Sequence, residues 1–175
     1  AVTSPLKELA FKLSQNQTII AKDLQSANTL VHCSDCENAK GFWRCHNTDL
    51  FGLKAVLSKY LTGFDSSNFD SSTVYVWGGG GTLSVISRLL PQAAQFSLRT
   101  GQLRKMLDKD APLKPAQFVI WAAGPQDSMP PLDWRPQLVI DLNYREDSLA
   151  RQYALQIGAK YIDGLSMFEA QAKAQ

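Results

Sequence analysis

The sequence of 175 residues has little of what several specialised protein classes require. It has three cysteines, two histidines and a net charge of only +2. Its longest uninterrupted apolar run, residues 118–123, is too short for a membrane span. The small net charge creates no global field that favours nucleic acid or an anionic membrane, so we expect neither as a partner. An odd cysteine count argues against a secreted disulfide framework, so we expect a reducing, cytoplasmic location.

What the sequence does have is the composition of a globular protein, with 45% apolar and 19% charged residues. A chain of this length can bury a sizeable core without disulfide or metal cross-links. From residue 73 onward, strand and helix patterns alternate. The strands are predicted over 73–77, 95–98, 118–123, 137–142 and 161–162, and the helices over 82–90, 102–107, 148–157 and 164–174. This alternation predicts an α/β fold with a Rossmann-like parallel sheet and helices on both faces.

The first sixty residues predict a smaller α/β unit. Its elements are a helix over 5–14, a hairpin of strands 29–33 and 42–45, and a helix that begins at Thr48 or Asp49 and ends at residue 60. The polar stretch 63–72 is rich in serine and is interpreted as a linker. We therefore expect two units, residues 1–63 and 64–175.

The strongest local signal is a run of glycines, Gly78, Gly79, Gly80 and Gly81, which follows a predicted buried strand and precedes Thr82 and a helix. Glycines in this position let the backbone turn sharply and approach a diphosphate closely. The pattern favours a dinucleotide site, and its alternative is a glycine-rich turn without a ligand.

The residues after the next strand indicate which dinucleotide is preferred. An NAD site needs a carboxylate for the ribose hydroxyl, but no Asp or Glu occurs between residues 78 and 107. Arg99 and Thr100 at the end of that strand suit a 2′-phosphate instead, and further basic residues, Arg104 and Lys105, follow. NADP is therefore favoured over NAD, with a solvated basic loop as the alternative.

A group of cysteine and histidine residues surrounds the predicted hairpin. Cys33, Cys36, Cys45 and His46 are residue types that bind zinc. A second ligand pair at the usual fixed spacing is absent, and the alternative is that Cys33 and Cys45 are facing strand residues. We expect no metal.

Seven short motifs occur in one order along nearly the whole chain. They are Val2-Thr3-Ser4-Pro5-Leu6-Lys7, Ser26-Ala27-Asn28-Thr29-Leu30, Asn47-Thr48-Asp49 with Gly52, Gly78-x-Gly80-Gly81, Arg99-Thr100, Asp141-Leu142-x-Tyr144, and Asp163-Gly164 continuing through Met167 to Gln171. Each motif alone is weak; Lys7, for example, reads as a solvated charge and Asp49 as a helix cap. Together they resemble the shikimate dehydrogenase family.

The resemblance implies an NADP-dependent oxidoreductase of aromatic amino-acid biosynthesis that reduces 3-dehydroshikimate to shikimate. It implies that Lys7 and Asp49 form the proton-transfer pair. It further implies that the substrate is held by Thr3, Asn28, Tyr144 and Gln171. For the cofactor, the implied residues are Gly78, Gly79, Gly80, Gly81, Thr82, Arg99, Thr100, Ala122, Gly164 and Met167.

Departures from the family pattern leave alternatives open. The family has a further N-terminal portion, with a Ser-x-Ser pair and most of a first sheet, so we expect residues 1–63 to be a remnant of the substrate-binding lobe. Leu98 and Trp121 stand where the family has asparagine. We expect a longer parent chain to carry the activity, as a monomer or homodimer. The alternatives are a quinate/shikimate dehydrogenase of looser specificity and a non-catalytic NADP-binding relative or fragment.

Overall fold

The computed structural model describes residues 1–3, 5–34, 41–64, 69–106, 111–124 and 128–175. Within these ranges the helices are α1 (Lys7–Leu13), α2 (Ile19–Leu24), α3 (Asp49–Tyr60), α4 (Leu83–Leu89), α5 (Leu149–Ile157) and α6 (Leu165–Lys173). The strands are β1 (Asn16–Gln17), β2 (Thr29–Cys33), β3 (Phe42–His46), β4 (Val74–Gly78), β5 (Ala94–Phe96), β6 (Leu103–Lys105), β7 (Phe118–Ala122), β8 (Leu138–Asp141) and β9 (Lys160–Ile162). Two 3-10 turns cover Ser71–Thr73 and Leu132–Trp134.

The larger sheet has six strands in the order β6-β5-β4-β7-β8-β9. The neighbours from β5 to β9 pair in parallel, and β6 is antiparallel to β5. Counted in chain order, the strands lie as 3-2-1-4-5-6, the arrangement of dinucleotide-binding folds. The chain reverses its direction of winding between β4 and β7, and ligands of such sheets bind beyond the carboxyl ends of the strands at this point.

Helices cover both faces of this sheet, which confirms the predicted α/β, Rossmann-like fold. Every residue of β4 is buried because side chains alternate between two covered faces. Val74 and Val76 pack with Ile86 of α4 in one core. Tyr75 and Trp77, on the opposite face, belong to a second core that includes α5.

The predicted helix over 102–107 is wrong, because residues 103–105 form strand β6. The turn before it is closed by Gly101, which has φ +67° and whose N–H donates to the carbonyl oxygen of Ser97 at 2.7 Å. The chain therefore returns along the free edge of β5. Pairing with that edge satisfies backbone groups that β5 would otherwise leave exposed, and this outweighs local helix preference. Leu107 lies outside the described residues.

The first part of the chain forms a separate three-stranded sheet in the order β1-β3-β2. Strands β2 and β3 pair antiparallel, as the sequence predicts, from Thr29 opposite His46 to Cys33 opposite Phe42. Cys45 lies opposite Leu30, so the idea that Cys33 and Cys45 face each other is wrong. The hairpin turn with Cys36, and part of the predicted linker, lie outside the described residues. Strand β1 and helix α2 are additional elements that the sequence pattern does not indicate.

Candidate active site

Lys7 and Asp49 form a largely buried ion pair. Lys7 is the first residue of α1 and Asp49 the first of α3. Lys7 Nζ donates to Asp49 Oδ2 at 2.6 Å across 42 residues of sequence. The two side chains are 15% and 3% exposed. The fold therefore brings one ammonium and one carboxylate together at the junction of the two sheets, with the ammonium on the solvent side.

The buried side chain of Asn28 hydrogen-bonds the Asp49 carboxylate of this pair. Its Nδ2 donates to Asp49 Oδ1 at 2.9 Å and to Thr48 Oγ1 at 3.0 Å. Its Oδ1 accepts from the Thr48 backbone N–H and from the Thr29 hydroxyl, both at 2.9 Å. These bonds use both amide hydrogens, so a substrate hydroxyl would have to replace one of them. Thr29 and Thr48 were not singled out as site residues, although both lie within the quoted motifs.

One cavity of about 640 Å³ is lined by all four residues expected to bind substrate. The expected site residues along its wall are Thr3, Lys7, Asn28, Asp49, Thr82, Tyr144, Gly164, Met167 and Gln171. Tyr144 is 66% exposed and packs against Phe168 in a tilted arrangement, with ring centroids 5.4 Å apart. The cavity is therefore polar around Lys7 and has an aromatic rim.

Two glycines set the position of α6, which carries Met167 and Gln171 into this cavity. A Cβ on Gly52 of α3 would lie 2.8 Å from the Met167 carbonyl oxygen. A Cβ on Gly164, just before α6, would lie 2.8 Å from the backbone of Asn143. Both distances are too short for a real side chain, so the approach of α6 depends on glycine at these places.

A buried carboxylate fixes the loop after β8. Asp141 is completely buried and accepts from the backbone and side-chain N–H groups of Asn143, each at 2.9 Å. The hydroxyls of Ser148 and Tyr161 donate to its other oxygen. Asn143 Nδ2 also donates to the carbonyl oxygen of Ala123 at 2.7 Å. Asn143 occupies the unspecified place of the Asp-Leu-x-Tyr motif, and it ties the ends of β7 and β8 together beside Tyr144.

The glycine run turns at the carboxyl end of β4. Gly78 has φ +95° and pairs with Ala122 of β7, and a Cβ on Gly78 would lie 2.9 Å from Ala123. Gly80 has φ +111°, and a Cβ built on it meets nothing within 4 Å. Gly80 and Gly81 line a second cavity of about 800 Å³, which Lys7 also borders. Lys7 therefore lies between the two cavities.

Arg99 and Thr100 lie apart from these cavities, in the turn that joins β5 to β6, and both are exposed. They neither line the substrate-side cavity nor touch the glycine-lined one. The expected cofactor residues thus fall into several groups: the glycine run with Thr82 follows β4, Arg99 and Thr100 follow β5, Ala122 ends β7, and Gly164 and Met167 lie at the start of α6.

Among the described residues, no group of three or more His, Cys, Asp or Glu side chains is arranged to hold a metal ion. Cys36, one of the four candidate zinc ligands, lies outside the described residues. None of the described helices has the length and apolar character that crossing a bilayer requires.

The fold and the cavity at its strand ends define a Rossmann-type α/β protein. Among solved structures, shikimate dehydrogenase 1 from Peptoclostridium difficile superimposes with a TM-score of 0.71 and 20% identity, over 98% of this chain and 66% of that one. Shikimate dehydrogenase from Aquifex aeolicus gives 0.70 and 24%, over 97% and 67%. Shikimate 5-dehydrogenase from Thermus thermophilus, in complex with NADP(H) and shikimate, gives 0.69 and 22%, over 97% and 67%.

These similarities show that the chain has the fold of shikimate dehydrogenases. The chain spans about two thirds of the length of those structures. No protein-family model matches the sequence, and no curated protein does.

Proposed function

We propose that this chain carries the cofactor-binding unit and the proton-transfer pair of an NADP-dependent shikimate dehydrogenase. The observation that carries the proposal is the position of Lys7. Its ammonium contacts Asp49, and the residue borders both the substrate-side cavity and the glycine-lined cavity. A proton donor at this junction reaches a substrate on one side while a cofactor lies on the other.

The residues at the strand ends fit a dinucleotide phosphate. Gly80 has open space where a side chain would stand, and its positive φ is one that other residues rarely adopt. The Arg99 guanidinium and the Thr100 hydroxyl can both donate to a phosphate, and no acidic residue from 78 to 107 would repel it. We propose that the cofactor is held by Gly78, Gly79, Gly80, Gly81, Thr82, Arg99, Thr100, Ala122, Gly164 and Met167.

The chemistry assigned to the pair is general acid catalysis. When bound, NADPH would supply the hydride that adds to the carbonyl carbon of 3-dehydroshikimate. Lys7 gives a proton from Nζ to the carbonyl oxygen, so that the C=O double bond becomes an alcohol. Asp49 keeps the ammonium at this place through its 2.6 Å contact, and the reverse steps convert shikimate back.

Substrate recognition is assigned to the polar groups around the same cavity. Thr3, Tyr144 and Gln171 line its wall, and Asn28 reaches it from the buried side. A ring with several hydroxyl groups matches this set of donors and acceptors, so an analogue that lacks one hydroxyl should bind more weakly. We further propose that residues 1–63 belong to the substrate lobe and residues 64–175 to the cofactor lobe.

A second candidate is a non-catalytic NADP-binding relative. It is favoured by Asn28, whose amide hydrogens are both committed to protein acceptors.

The experiment that tests the proposal measures binding and turnover together. NADPH fluorescence is titrated with the chain, shikimate is then added, and NADP⁺-dependent oxidation of shikimate is followed. Lys7→Met should lower turnover about 10²- to 10⁴-fold with NADPH binding retained. Lys22→Met, an exposed lysine of α2, is the matched control and should change neither.

The possible outcomes separate the two candidates. NADPH binding without any response to shikimate would favour the non-catalytic relative. Absence of NADPH binding by the unmodified chain would contradict both candidates.

A further inference from the structure

Strand β6 contains an irregularity that places one arginine in an unusual position. Gln95 of β5 pairs with Lys105, but the next residue, Phe96, pairs with Leu103. Arg104 is therefore the extra residue of a β-bulge, without a partner of its own in the ladder. Bulges turn a side chain away from its regular direction and are common beside functional sites.

The side chain of Arg104 extends to the glycine turn after β4. Its Nη1 lies 3.5 Å from the position that a Cβ on Gly79 would occupy. Arg104 is exposed, and none of the ion pairs between described residues includes it. The guanidinium of Arg104 therefore lies over the glycine turn, and its N–H groups remain available to a ligand.

This position differs from that of Arg99, the other arginine at the same edge. Arg99 lies in the β5–β6 turn, beyond the end of β5, where a 2′-phosphate is expected. Arg104 lies over the turn that follows β4, where a diphosphate is expected to meet the glycine backbone. The planar fork of a guanidinium matches two phosphate oxygens at once.

We propose that Arg104 binds the diphosphate of the dinucleotide, whereas Arg99 and Thr100 bind the 2′-phosphate. The assignment rests on the proposed function and adds a residue outside the expected cofactor set. A diphosphate is common to NADH and NADPH, but only NADPH has the 2′-phosphate. The two arginines should therefore act differently on the preference between these two nucleotides.

The test measures dissociation constants of the full 175-residue chain for NADPH and NADH by nucleotide fluorescence. Arg104→Gln should weaken binding of both nucleotides by the same factor, about tenfold to a hundredfold, as for loss of a charge-assisted hydrogen bond. Arg99→Gln should weaken only NADPH. Arg88→Gln is the matched control, since Arg88 is an exposed arginine of α4, and it should leave both constants unchanged.

Each result supports or overturns the proposal. Equal weakening by Arg104→Gln, with partial recovery in Arg104→Lys and an unchanged melting temperature, supports it. Weakening of NADPH alone would assign Arg104 to the 2′-phosphate and overturn it, as would unchanged binding of both nucleotides. If the unmodified chain binds neither nucleotide, the proposed function fails as well.

Discussion

Replacement of Asp49 by asparagine tests how strongly the fold depends on the buried ion pair. The change leaves the Lys7 ammonium, only 15% exposed, without its carboxylate. Breaking a buried pair by removing one partner costs about 3 to 5 kcal/mol. Because Lys7 keeps some contact with water, we expect the lower end, about 3 kcal/mol. For a domain of this size that loss lowers the melting temperature by roughly 6 to 12 °C.

The double variant Lys7→Met/Asp49→Asn isolates the interaction. Lys7→Met leaves the Asp49 carboxylate, which is 3% exposed, with Asn28 Nδ2 as a remaining donor. We expect it to lower the free energy of unfolding by a similar amount to Asp49→Asn. The double variant contains no uncompensated charge, so its loss should be smaller than the sum of the single losses by at least about 2 kcal/mol. Urea unfolding of all four proteins measures this coupling.

An exposed pair of the same residue types provides the matched control. Lys114 Nζ and Asp70 Oδ2 are 2.9 Å apart, but their side chains are 55% and 58% exposed. The same cycle with Lys114→Met and Asp70→Asn should give a coupling below about 1 kcal/mol. Equal couplings at the two pairs, or additive losses at Lys7 and Asp49, would refute the argument that burial makes this pair strong.

Three further predictions concern packing and titration. Gly52→Ala should destabilise the chain by about 1 to 2 kcal/mol in urea unfolding, since the clash with Met167 exceeds the gain in helix propensity, and it should weaken shikimate binding. Asp141→Ala should cost about 2 to 4 kcal/mol by the same measurement, because its buried donors lose their acceptor, whereas Tyr161→Phe should cost about 1 kcal/mol. Burial and the nearby charge of Asp133 raise the pKa of Tyr153 to about 12. Because the pKa of Tyr153 is higher in the folded than in the unfolded chain, its contribution to stability is complete below pH 10 and is lost as the pH rises toward 12. Tyr153→Phe should lack this loss of stability, and urea unfolding of both proteins between these pH values measures it.

Much of the fold could be predicted because local signals and tertiary structure agree. Helix α5 is an example: Ser148 caps its start by accepting from the Ala150 N–H at 3.2 Å, and Gly158 ends it with φ +72°. Strand β6 is the opposite case. Residues 103–105 form a strand because they pair with the otherwise free edge of β5. That edge exists only after the sheet has formed, so the local sequence pattern could not predict the strand.

The candidate site also has one part that could be predicted from the sequence and one part that could not. The resemblance of the motifs to the shikimate dehydrogenase family implies that Lys7 and Asp49 act together, and the structure brings them to 2.6 Å. The part played by Asn143 could not be predicted, since its contacts to Ala123 and Asp141 depend on how two strands end side by side. The assigned roles of all these residues stay predictions.

The bulged strand that carries Arg104 also forms one border of the six-stranded sheet. The other border is β9, and each of these outer strands has only three residues. Arg104 and Lys105 occupy the first, and Lys160 begins the second. Short outer strands with cationic side chains are poor templates for docking a strand from another molecule. The same positive charges that would attract a nucleotide therefore also discourage polymerisation of the protein through its sheet.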